Sequence, residues 1–263
     1  MDVVDWSISI RSLTIYLAIC ISIPSMALYI AEIVTIVRHK KFHNSFYALF
    51  VMRAIPDWLG VFGNFYCYRL PVIIGAVLYP IYSQFPNWML AIALFLVGYT
   101  FQANNLVTIL ILLNRMSAII MPIKHEKMWR KLLPFLTIFI YFVPILTCWP
   151  VFKMNAINLM YAPNSTTDRS FAISEAGDAP YHIYTINICA VFSVIFMILC
   201  VFLNIATFVA YKQHLKKVSI NGNNNGDEIE KKLLVYALAT FLGHALVASL
   251  YLIAVVIIII DPT

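Results

Sequence analysis

Six long runs of mostly apolar residues alternate with short polar tracts along this chain, and a bilayer-spanning helix needs about 20 such residues. The pattern predicts six membrane helices over about 12–37, 46–66, 88–113, 132–152, 183–211 and 233–260. Between the second and third, Pro71, Pro80 and Pro86 punctuate a connector whose apolar run, Val72 to Leu78, is too short to cross. A polar loop from Lys153 to Pro180 separates the fourth and fifth helices. The tract Lys212 to Lys232, with Asn221-Gly-Asn-Asn-Asn-Gly226 at its centre, separates the fifth and sixth.

Composition fixes the class. Of 263 residues 62% are hydrophobic and 11% charged, against about 25% charged in an ordinary soluble domain. The expectation is an all-α polytopic membrane helix bundle forming a single domain over 1–263. The net charge of +6 does not indicate a nucleic-acid partner, because the basic residues sit in short tracts between apolar runs and suit membrane lipid.

Their distribution also predicts a sidedness. Arg38, Lys40 and Lys41, then Arg115, Lys124, Lys127, Arg130 and Lys131, then Lys212, Lys216, Lys217, Lys231 and Lys232 all fall on one side; Arg11, Arg69, Lys153 and Arg169 fall on the other. Positive loops stay cytoplasmic, so the N-terminus is expected outside. The sequon Asn164-Ser165-Thr166 then lies on the external side and is a glycosylation candidate. Met1, Asp2 and Asp5 are not the basic start of a cleavable signal, so the first helix is expected to direct its own insertion.

Polar residues inside the spans are the candidate chemistry. Arg53 and Asp57 are four apart on one helix face, where they can pair with each other, and Pro56 is expected to bend the helix beside them. Gln102, Asn104, Asn105 and Thr108 in the third helix, and Asn187 and Asn204 in the fifth, are expected to hydrogen-bond between helices. Depth and chemistry select Trp88, Tyr99, Trp149, Tyr184, Asn187 and Tyr251 as lining a ligand cavity in the outer half, although aromatic residues there also serve as interfacial anchors. His244 is the lone histidine of the sixth helix. The five cysteines have no metal spacing; Cys67 and Cys148 lie near the outer surface, where a disulfide would depend on geometry that spacing cannot supply. No H-E-x-x-H, G-x-S-x-G, P-loop or G-x-G-x-x-G sequence occurs, so neither an enzyme nor a cofactor is expected. The residues alone leave open a receptor or a small polytopic transporter or channel subunit, with Arg53 and Asp57 lining a polar path in the latter.

The string Arg115-Met-Ser-Ala118-Ile119-Ile-Met-Pro122 resembles the segment closing helix three of rhodopsin-like G-protein-coupled receptors, with Asn114 and Met116 in place of that family's aspartate and tyrosine. A closer resemblance rests on Ile23-Pro24-Ser25 through Leu28-Tyr29, Lys41-Phe42-His43-Asn44-Ser45-Phe46-Tyr47, Leu113-Asn114-Arg115-Met116-Ser117-Ala118-Ile119, and Pro122 through Glu126-Lys127-Met128-Trp129. Together these look like the nematode serpentine receptors of class gamma, chemosensory seven-helix receptors; the class V receptors share some of this grammar.

The resemblance implies a heterotrimeric G protein meeting Asn114, Arg115, Pro122, Lys124 and Trp129, and a small-molecule or peptide ligand on the other side. It makes Asp57, with Arg53, similar in position to a cation and activation site. Asparagine at 114 can hydrogen-bond Arg115 but not neutralise it. Asp227, Glu228 or Glu230 is then expected to pair with Arg115 at rest. Sensory-cell plasma membrane is the implied location. A seventh helix is also implied, and the chain stops before one, which leaves open a truncated gene model, a splice product or a degenerate gene, the receptor then being impaired.

Overall fold

The computed structural model describes residues 3–161, 169–178 and 180–219, together with Leu242, Gly243, Leu246, Ser249 and Ile253. Five helical stretches among them are long and apolar enough to cross a membrane: 16–38, 45–73, 87–120, 125–153 and 180–213. The sixth expected span lies almost wholly outside the described residues, as do Asn164, Asp227, Glu228, Glu230, His244 and Tyr251.

In chain order, α1 (Val3–Arg38) is followed by a tight turn over Lys40–Phe42 and by α2 (Ser45–Asn64). α2 passes through a widened turn, Phe65–Arg69, into α3 (Leu70–Ile73) and α4 (Gly75–Tyr82); then come α5 (Asn87–Ile120) and α6 (His125–Cys148). After a short turn at Trp149–Lys153, β1 (Ala156–Met160) pairs antiparallel with β2 (Phe171–Glu175), and α7 (Pro180–Ser219) follows. Among the described residues the bundle is all-α apart from this hairpin, which marks one end. The tracts at 38–45 and 115–131 mark the other, the basic end.

Helix α5 is the centre. Of its most apolar stretch 61% is buried inside the protein, against 0% for α1, and it packs against α2, α6 and α7. Small residues bring α2 close: a Cβ at Gly63 would stand 3.4 Å from Leu96 and 3.7 Å from the Ala93 carbonyl, the close approach on which helix packing in lipid relies. Near the basic end Leu49, Ala103, Val107, Leu110, Ile111, Trp129 and Ile140 form one apolar cluster.

Three expectations change. α5 does not end at 113 but continues to Ile120, because nothing in Arg115–Ile120 breaks a helix; Pro122 does, forcing Met121 out of helical geometry (φ −132, ψ 60). The basic stretch after it is no loop, since α6 starts at His125 with Glu126 favourably placed in its first turn. The proline connector is helical, with Pro71 in α3 directly after the widened turn Phe65–Arg69.

The loop from Lys153 to Pro180 is likewise more than polar linker. β2 alternates, with Phe171, Ile173 and Glu175 turned inward, and Phe171 is completely buried against Tyr79 and Tyr82, its ring centroid 5.6 and 5.2 Å from theirs. Burial pushes the Tyr82 hydroxyl well above the usual tyrosine range, so it stays a neutral donor to the Tyr66 carbonyl at 3.2 Å. Gly75 makes the fit feasible, because a Cβ there would stand 2.6 Å from the Arg169 carbonyl oxygen.

Both ends of the hairpin are tied to helix starts. Asn87 Nδ2 donates to the Met154 carbonyl (2.7 Å) while its Oδ1 accepts from the Ala156 N–H (2.6 Å). The Glu175 carboxylate accepts from the N–H groups of Tyr181 and His182 at 3.0 and 2.8 Å, capping α7 where the helix dipole favours an anion. Cys67 and Cys148 are both buried free thiols.

Candidate functional site

At the basic end the starts of α2 and α6 meet the end of α5 through one polar network. Asn44 caps α2 by accepting from the Tyr47 N–H. Ser45, the first helical residue, turns its own N–H toward α6, where both oxygens of Glu126 accept it at 3.2 Å. The Ser45 hydroxyl donates to Glu126 Oε2 (2.8 Å) and accepts from Asn114 Nδ2 (3.0 Å). Arg130, one turn on, donates Nε to Glu126 Oε1 at 3.0 Å. One carboxylate thus answers the N-terminus of α2, a hydroxyl and a guanidinium, all of which favour its charged form.

A second arm of the network runs along α5. The Ser117 hydroxyl donates to the Asn114 backbone carbonyl (2.9 Å) and accepts from Trp129 Nε1 (2.7 Å), while His125 Nε2 lies 3.0 Å from the same carbonyl. Trp129 is only 4% exposed. That differs from the expectation of a partner-facing residue: its indole fills the α5–α6 seam, and Trp129, Leu133, Leu136 and Ile140 form the helical stripe against α5. This spacing was the available signal for its burial. Asn114 differs as well. It is 2% exposed and its Nδ2 donates to the Ser45 hydroxyl on α2.

Arg115 follows Asn114 by about 100° around the helix, and its guanidinium lies over the Phe46 ring at 5.2 Å. Pro122 and Lys124 are exposed in the turn between α5 and α6. Between them stands Ile123, 94% exposed, an apolar side chain at the tip of a basic loop that the sequence reading passed over. The string fragment around 41–47, far along the chain from the neighbouring pair 113–119 and 122–129, converges with them on this one end.

Deeper in α2, Arg53 Nε is 3.5 Å from Asp57 Oδ2, the expected pair across one turn. Asp57 Oδ2 also accepts from the Tyr29 hydroxyl at 2.9 Å, which joins α1 to α2. In α5, Gln102 reaches α6 as expected: it accepts from the Thr147 hydroxyl and its Nε2 lies 3.5 Å from Cys148 Sγ. Thr108 bonds its own helix at the Asn104 carbonyl. Among the described residues Asn104 Oδ1 and Asn105 Nδ2 are buried without a hydrogen-bond partner.

Toward the hairpin end α5, α7 and the segment after α6 enclose a cavity of about 70 Å³, lined by Leu94, Gly98, Met154, His182, Thr185 and Cys189 among others. The five described members of the expected ligand set do not line it. Trp88 and Trp149 are 60% and 58% exposed, Tyr184 and Asn187 lie on the exposed face of α7, and Tyr99 is buried and stacked on Phe95. Depth and chemistry selected them, and neither fixes the direction around each helix that decides which residues line this cavity.

The family model described as Srg family chemoreceptor matches residues 15–261. Serpentine receptor class gamma-9 of Caenorhabditis elegans is 26% identical over 150 residues, which is 55% of this chain and 45% of that protein. Serpentine receptor class gamma-5 of the same organism is 26% identical over 122 residues (43% of this chain, 36% of the relative). Class gamma-14 is 28% identical over 116 residues (41% and 34%). The matches thus span less than half the length of these relatives.

Proposed function

We propose that this chain, which belongs to the Srg family of chemoreceptors, works as a G-protein-coupled-type chemosensory receptor in the plasma membrane of sensory cells. Membership in that family implies a receptor rather than an enzyme, and it does not favour the transporter or channel reading. In this reading the basic end is cytoplasmic and the hairpin end external. A ligand acts at the hairpin end, where the small cavity adjoins the hairpin. A heterotrimeric G protein meets the exposed turn at Pro122, Ile123 and Lys124 together with Arg115, while Asn114 and Trp129 hold the helices beneath it. Asp57 and Arg53, tied to α1 through Tyr29, are the candidate activation site.

The observation that carries this reading is the convergence of α2, α5 and α6 on one polar network, with Arg115 beside it and Ile123 projecting from the adjoining loop. Ligand needs only to bind one arrangement of that end better than the other to shift its population. The test is nucleotide exchange on a purified G protein in nanodiscs. Wild type is expected to raise basal exchange, and Ile123→Ala and Arg115→Glu each to lower that increment about tenfold, the effect of losing roughly 1.4 kcal/mol of contact. Exchange that ignores both substitutions would remove the proposed contact surface.

Sidedness has its own check. Asn164 is expected to carry glycan in a eukaryotic membrane, read as a mobility shift removed by endoglycosidase and lost in Asn164→Gln. An unmodified Asn164 in correctly delivered protein would count against an external hairpin end.

A further inference from the structure

We propose that the basic end carries a binding site for an anionic glycerophospholipid of the adjoining leaflet, in a groove between α1, α2 and α6. The groove holds about 500 Å³, inside the roughly 300–1,000 Å³ range of small-ligand sites. It exists because Glu126 draws α6 onto the start of α2 while the chain leaves α1 through the turn at Lys40–Phe42. The face of α2 between them is left uncovered.

Its walls match the two halves of such a lipid. Ile36, Ala48, Val51, Met52 and Leu133 supply an apolar lining on membrane-spanning helices, suited to an acyl chain. The mouth carries Phe42, His43, Glu126 and Arg130. Lys41 Nζ sits 4.9 Å above the Phe42 ring, which brings a second cation to the rim. Arg130 gives only Nε to Glu126 and its side chain is 69% exposed, so the rest of its guanidinium is open to a phosphate.

Among the described residues Glu126 is the one anion lining the groove. Its oxygens already accept from the Ser45 N–H, the Ser45 hydroxyl and Arg130, so its charge is answered from the protein side. His43 Nε2 is occupied by the Val37 carbonyl at 3.1 Å. Arg38 and Lys40 are exposed next along the chain and extend the positive rim. An apolar slot opening under clustered cations fits a negatively charged headgroup with its chain below it. A purely apolar occupant would leave those cations unused.

The inference needs only that the helices span a membrane, so it stands or falls apart from the receptor reading. The test reconstitutes the full chain in nanodiscs of equal phosphatidylcholine and phosphatidylserine and measures retained lipid by native mass spectrometry. Phosphatidylserine is expected to be enriched on the wild-type protein. Lys41→Gln and Arg130→Gln should each reduce the enrichment about fivefold, corresponding to the roughly 1 kcal/mol that one basic residue contributes at an anionic surface. Ala48→Trp and the milder Val51→Phe should displace lipid by filling the slot, and either suffices if the other fails to fold. Equal retention of the two lipids by wild type, or enrichment unchanged in the filled variants, overturns the proposal.

Discussion

Phe171→Ala is expected to detach the hairpin from the bundle at a cost of about 3–5 kcal/mol, the range for deleting a buried aromatic side chain. Three observations set that size. Phe171 is fully buried; it meets Tyr79 and Tyr82 edge to face, pairs that add about 0.5–1.5 kcal/mol beyond area; and it sits in the same cluster as Met154, Ile173 and Leu90. The Asn87 and Glu175 ties are local to the hairpin's two ends and cannot refill the space. Thermal unfolding in detergent should show the loss, and limited proteolysis should open the 154–178 segment first. Phe171→Leu, which keeps most of the volume, should fall between. A wild-type melting curve for Phe171→Ala would mean that the hairpin is not anchored by its aromatic side chain. Because Met154 and Val151 belong to this cluster and also line the small cavity, the cavity should be reshaped in the same variant.

Glu126→Ala is expected to cost about 2 kcal/mol, within the 1.5–3 kcal/mol typical of a hydrogen bond to a charged group. The alanine leaves the Ser45 N–H without its acceptor and takes away the residue that draws α6 onto α2. The Arg130 bond to it contributes little, because that side chain is largely exposed. Glu126→Gln keeps an acceptor oxygen and the shape, and should recover part of the loss. A double-mutant cycle with Ser45→Ala isolates the pair: coupling of about 1 kcal/mol or more is expected of residues in one network. Additive effects would show that the two helices are held together by apolar packing alone. Basal nucleotide exchange in the same variants reads the functional side, and a change there with Arg115 intact would tie the network to the proposed partner surface.

Particular residues show how far the sequence carried. The Arg53–Asp57 pair was legible because residues four apart on a helix are neighbours whatever else the chain does. Five spans among the described residues were legible because length and apolarity are what a bilayer demands. The partners of Ser45, by contrast, lie 69 and 81 residues away, and no local pattern announces a contact set by how three helices pack. Trp129 reads as a basic-loop residue only if α6 starts late; once the helix begins at His125, the same residue falls on the buried stripe.

By itself, the sequence determined the class, the membrane spans it could write in hydropathy, the basic end and the strings that mark the family, since each depends on composition or on spacing within one element. The tertiary structure alone decided which face each helix turns inward. It buried Trp129 and Asn114, exposed Ile123, turned a polar loop into a clamped hairpin and opened the groove beside α2. Those outcomes follow from rotation and depth of packed helices, where 100° separates consecutive residues, so a site chosen by depth or position alone can point either way.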